Sequence, residues 1–135
     1  MLRYAFLAQI FSVTTVALLG GCSGGGLAPV QGTVTFADGR PAQNITVTFQ
    51  EREKQVGASG TTDASGIYRL SSQSPGDGAP PGNYLVSVHQ PGPADSNDPE
   101  PPRLFPKRYE NAQTSGLSCE VKPGPNEFNI TLEAK

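Results

Sequence analysis

Tryptophan is absent from these 135 residues, histidine occurs once, at His89, and methionine once, at Met1. A single histidine provides no histidine pair for a metal, and no His/Cys/Asp group at ligand spacing surrounds it. The chain is rich in serine, but a serine nucleophile needs a base and a group to orient that base. No nucleophile-elbow motif accompanies His89, so catalytic residues are not expected. Charge is sparse too: ten basic residues stand against twelve acidic ones. That balance offers no basic face for nucleic acid. Beyond the first twenty-odd residues, no stretch repeats apolar residues at the 3.6-residue period for long enough to make a helix. Cysteine is limited to Cys22 and Cys119.

One long apolar run is present. From Tyr4 to Leu19 the chain has no Asp, Glu, Lys or Pro, and Arg3 is the only charge before it. A basic start, an apolar middle and small residues at a cut site are the layout of an export signal. A retained anchor fits less well. A spanning helix needs about 20 apolar residues, and Gln9, Ser12, Thr14 and Thr15 dilute this shorter run. The run ends in Leu19-Gly20-Gly21-Cys22, which resembles the lipobox of bacterial lipoproteins. The resemblance implies a diacylglyceryl group on the Cys22 thiol, cleavage between Gly21 and Cys22, and acylation of the new amino terminus. Thiolate chemistry suits the first step. Each buried acyl CH₂ contributes about 0.8 kcal/mol, so two or three chains hold a protein firmly at a membrane. The alternative is an ordinary signal peptide cut nearby, with Cys22 incidental.

The expected organisation is a signal peptide over 1–21, a lipidated cysteine with a Ser/Gly tether over 22–28, and one domain over 29–135. Loss of Arg3 with the signal leaves nine basic against twelve acidic residues. If Cys22 carries lipid, Cys119 has no disulfide partner within the chain. It alternates with polar neighbours in Leu117-Ser118-Cys119-Glu120-Val121 and reads as a small buried hydrophobe.

From Pro29 onward the apolar period is two, the period of a strand with one face buried. Val30, Val34 and Phe36 share a face, as do Ile45, Val47 and Phe49. Asp38-Gly39 between these runs predicts a hairpin. Lys54 to Thr62 reads as an edge strand, Ile67 to Leu70 as a strand with Tyr68 and Leu70 inward, and Gly82 to Val88 as a strand with Tyr84, Val86 and Val88 inward. A second hairpin is expected from Leu117–Val121 and Glu127–Glu133, with Phe128, Ile130 and Leu132 inward. Between them, Gln90 to Pro106 carries six prolines and reads as a long surface excursion, the most mobile part of the domain. Seven short strands punctuated by turns predict an all-β, two-sheet sandwich.

Three pieces carry a more specific resemblance. They are Val30-Gln31-Gly32-Thr33-Val34 with Gly39-Arg40-Pro41, then Thr61-Thr62-Asp63-Ala64-Ser65-Gly66-Ile67-Tyr68, then Pro80-Pro81-Gly82-Asn83-Tyr84. They resemble the carboxypeptidase regulatory-like domain, which implies a transthyretin-like Greek-key β-sandwich. The later Pro106-Lys107-Arg108-Tyr109, Thr114-Ser115-Gly116-Leu117 and Asn126-Glu127-Phe128 are similar to short bacterial lipoproteins built on that domain. The resemblance implies a structural or adhesive module without catalytic residues.

Other candidates have plainer readings. His89 reads as a solvated strand-end residue. Asp95-Ser96-Asn97-Asp98-Pro99-Glu100 gathers oxygens of the kind calcium uses, but lacks the glycine of the sharp turn and contains Pro99. Asn44-Ile45-Thr46 and Asn129-Ile130-Thr131 match the glycosylation pattern but read as strand alternation. Lys107-Arg108-Tyr109 could meet an anion, or could fasten the long loop with Tyr109 packed. The expectation is a non-enzymatic module without cofactor or metal. It is anchored in a bacterial cell envelope through lipid on Cys22, faces the periplasm or sits at the outer membrane, and meets an envelope protein or glycan. A small-ligand or calcium carrier is the alternative.

Overall fold

The computed structural model describes residues 26–53 and 56–135. Among them are eight strands: β1 Val30–Phe36, β2 Thr46–Glu51, β3 Gly57–Thr61, β4 Ile67–Arg69, β5 Gly82–His89, β6 Leu117–Val121, β7 Asn126–Glu127 and β8 Ile130–Leu132. A 3₁₀ turn covers Lys107–Glu110. The strands form two sheets, an all-β sandwich. In one, β1 lies between β4 and the β7/β8 run; the other has the order β3-β2-β5-β6.

Neither expected hairpin forms. β1 pairs antiparallel with β4 and parallel with β7 and β8, while β2 pairs with β3 and β5. The turn after β1 does fold back, since Phe36 N donates to Arg40 O and Thr35 bridges Pro41. The contact stops there. Pro41 has no N–H to continue a ladder, and Asn44 takes a φ of 58° that redirects the chain into the other sheet. The buried hydroxyl of Thr62 fixes this crossing, accepting from Ile45 N at 2.8 Å and donating to Ala42 O at 2.6 Å. At the other end of the chain, β6 adds to β5, and the Lys122–Pro125 turn carries the chain across to β1.

The faces follow the sequence pattern. Val34, Ile45, Val47, Phe49, Leu70, Val86, Val88 and Leu132 are fully buried between the sheets, and Tyr68, Tyr84 and Ile130 nearly so. Burial of each aliphatic or Phe side chain contributes about 1.5–3 kcal/mol. The Phe49 ring lies 5.8 Å from both the Tyr84 and Phe128 rings. As expected, β3 is an edge strand. The last expected strand is split. β7 and β8 keep one register on β1 but are interrupted at Phe128 and Asn129. There Tyr68 Oη donates to Phe128 O, and the Asn129 side chain accepts from Thr33 N at 2.9 Å in place of a backbone carbonyl. A Cβ on Gly32 would lie 1.8 Å from Phe128 O, so only glycine permits this approach.

The registers define two ends. β1 starts, β2 ends, β5 starts and β6 ends at one of them. Ala28, the loop over 71–81 and the Lys122–Pro125 turn lie there as well. The opposite end carries the loops over 37–45 and 62–66, the long excursion after His89 and the C-terminal residues.

Candidate functional site

The apolar run over 4–19, Gly21 and the candidate lipid acceptor Cys22 lie outside the described residues. Six positions after Cys22 stands Ala28, 1% exposed, whose backbone exchanges hydrogen bonds with Ala79 at 2.8 and 3.0 Å. Asn126 N donates to Pro29 O at 2.8 Å. The chain is therefore fastened to the sandwich from Ala28, the last residue of the expected tether over 22–28. No helix among the described residues is long and apolar enough to cross a membrane.

The long excursion is closed at its neck. The Gln90 side chain donates to Pro102 O at 3.1 Å and accepts from Leu104 N at 2.9 Å. Arg103 makes a two-pronged pair with Glu110 at 3.1 and 3.2 Å. Phe105, fully buried, packs edge-on against Tyr109 with ring centroids 6.0 Å apart. Alternation and turn signals give Phe105 no role. Its signal was being the one aromatic among prolines and polar residues, which marks an anchor when the chain on both sides is exposed. Lys107-Arg108-Tyr109 serves the same end. Tyr109 is buried, and exposed Arg108 lies over its ring and pairs with Glu133 at 2.9 Å.

The oxygen-rich tip turns inward on itself. Asp95 O accepts from Asp98 N at 3.0 Å, and the Asp95 carboxylate accepts from Ser96 Oγ at 3.2 Å. No group of three or more His, Cys, Asp or Glu side chains is placed to hold a metal among the described residues. His89 ends β5, exposed, 3.3 Å from Ser87 Oγ. The two glycosylation-like asparagines are not inside strands as expected. Asn44 precedes β2 in the left-handed conformation, and Asn129 fills the gap between β7 and β8.

Cys119 is half-buried opposite Tyr84 in the β5–β6 ladder and packs against the core. Burial, helped by Glu120, pushes its thiol pKa up, which favours the inert neutral form. Beside it a groove of about 480 Å³ is lined by Glu51, Arg52, Tyr84 and Glu120 among others. Burial, with Glu51 nearby, also raises the Tyr84 phenol pKa, and its hydroxyl is engaged with Pro80 O at 2.7 Å. A second open groove, of about 440 Å³, lies at the same end between Arg69 and Glu127. Every buried side-chain nitrogen and oxygen among the described residues has a hydrogen-bond partner. The polar groups inside the sandwich are thus occupied in holding it together.

No curated protein matches the chain. Among solved structures, a 9R-lipoxygenase from Cyanothece PCC8801 is similar at 17% identity and a TM-score of 0.43. The similarity covers 82% of this chain and 17% of that one, so this chain spans a small part of that protein's length. The family model of the carboxypeptidase regulatory-like domain matches residues 29–100. The match takes in β1 through β5 and most of the excursion, and β6, β7 and β8 then complete both sheets. With more than half of its residues matched, the chain belongs to the carboxypeptidase regulatory-like domain family.

Proposed function

We propose that the protein is a lipid-anchored lipoprotein of a bacterial cell envelope whose β-sandwich is a non-catalytic structural or binding module for an envelope protein or glycan. The observation that carries this reading is Leu19-Gly20-Gly21-Cys22, six positions before the first residue pinned to the sandwich. A thiol at that place can take lipid while the domain stays folded beside it. Membership of the regulatory-like family supports the non-catalytic part.

The outward faces support contact through polar groups. Thr46 and Thr48 of β2 stand beside Thr61 and Ser59 of β3, a ladder of hydroxyls. The seven aromatic residues among those described are buried or packed against the core. A partner would accordingly be met by hydroxyls, amides and charges, with a wet interface. The test is intact mass spectrometry of protein extracted from the membranes of its native host, with Cys22→Ala as control. The expected mass is residues 22–135 plus a diacylglyceryl group, and the control should remain uncleaved. An unlipidated mass for the native sequence would sink the reading.

A further inference from the structure

We infer that the sandwich stands on the membrane by one particular end, the end formed by Ala28, the loop over 71–81 and the Lys122–Pro125 turn, with a phospholipid surface as its partner. The inference rests on the lipid anchor proposed above. The structure decides where that anchor would leave the domain, and it leaves at a single fastened point.

Ala28 and Ala79 exchange two backbone hydrogen bonds, and Pro29 O accepts from Asn126 N. Gly78 permits the first contact, since a Cβ there would lie 1.9 Å from Ala28 O. The chain before Ala28 therefore departs from this end and cannot move to the other without breaking the sandwich. From Cys22 to Ala28 is six residues, which reach about 20 Å at full extension. A Gly/Ser-rich stretch of that length averages about 13 Å end to end. β5 alone, eight residues long, runs about 26 Å from this end toward the other. The short tether thus keeps the near end at the headgroups, while the far end reaches them only if the domain lies flat.

Charge does not produce this arrangement. Arg52, Arg69 and Lys122 at the near end are accompanied by Glu51, Glu53, Asp77, Glu120 and Glu127, so attraction to anionic lipid is not the cause. Two consequences follow. The grooves beside Tyr84 and Arg69 open near the membrane, and the tip over Asp95–Glu100 faces away from it. That tip carries three carboxylates and no cation.

The test places a photoreactive p-benzoylphenylalanine at Ser74 or Lys122, near the anchor, or at Asn97, in the distal tip. Each full-length variant is expressed in the native host, illuminated in intact membranes and analysed for phospholipid adducts by mass. The expected result is adducts at 74 and 122 and their loss at 97. Equal adduct yields at all three positions, with the lipidated mass present and the protein floating with membranes, would overturn the orientation alone. A protein that neither carries lipid nor floats would overturn the anchor, and the orientation with it.

Discussion

Two loops of similar length are held in opposite ways. In the loop over 71–81 the ties run through the whole segment. The Asp77 carboxylate accepts from Ser72, Gln73 and Ser74 N–H groups, Ser72 Oγ donates to Gly78 O, and Ser71 Oγ accepts from Gly76 N. In the loop over 91–101 the ties stop at the base. Gln90, Arg103 and Phe105 close the neck, and beyond it Asp95 organises only its own turn. A carboxylate at the centre of a loop can gather several N–H donors and replace a missing strand. Prolines cannot donate, so a proline-rich segment is secured where its few apolar and amide side chains reach the domain.

The largest expected effect comes from the neck. Phe105→Ala removes a fully buried ring and should destabilise the domain by about 3–5 kcal/mol in urea unfolding. A loss below about 1 kcal/mol would mean the ring is not an anchor and that the two loops are equally loose. A smaller effect, confined to pH, belongs to Asp77. The Ser72 N–H, opposed by partial burial and joined by Ser74 and Gln73, holds its carboxyl pKa below the usual carboxylate range. A lowered folded pKa contributes stability that is present above the ordinary value near 4 and is lost as pH falls through the folded value. The melting temperature of Asp77→Asn should therefore lie below that of the native protein at neutral pH, with the gap closing in acid. A gap of constant size from pH 7 to pH 2 would show that the charge contributes nothing. The smallest effect is expected from replacing residues 93–99 with a short Gly/Ser link, which should change stability by no more than about 0.5 kcal/mol. A change matching Phe105→Ala would place the anchoring in the tip and erase the comparison.

Much of the domain was legible before any coordinates. Alternation in Tyr84-Leu85-Val86-Ser87-Val88 assigns three side chains inward, and all three are buried. The weak apolar content after Val56 marked β3 as an edge, and it is one. Tyr109 was legible as packing, and it is buried. The closed neck was not, because Gln90 and Leu104 are brought together by the fold and not by adjacency. Cys22 was legible only as a motif in its context.

By itself the sequence determined which side chains go inward, where the chain turns, and which family the domain belongs to. These are properties of neighbours: a two-residue alternation, an Asp-Gly turn, a run of prolines. Only the tertiary structure decided which strand lies beside which. β1 and β2 are joined by the loop over 37–45, which opens in a tight turn, and each has one apolar face. That pattern fits two strands in one sheet as well as two strands facing each other across a core. Facing buries both sets of apolar residues against each other, and Pro41 with Asn44 provides the bend that takes the chain across. The end at which the tether departs was decided in the same way, by Ala79 and Asn126, residues remote in the chain that meet Ala28 and Pro29 only once both sheets have formed.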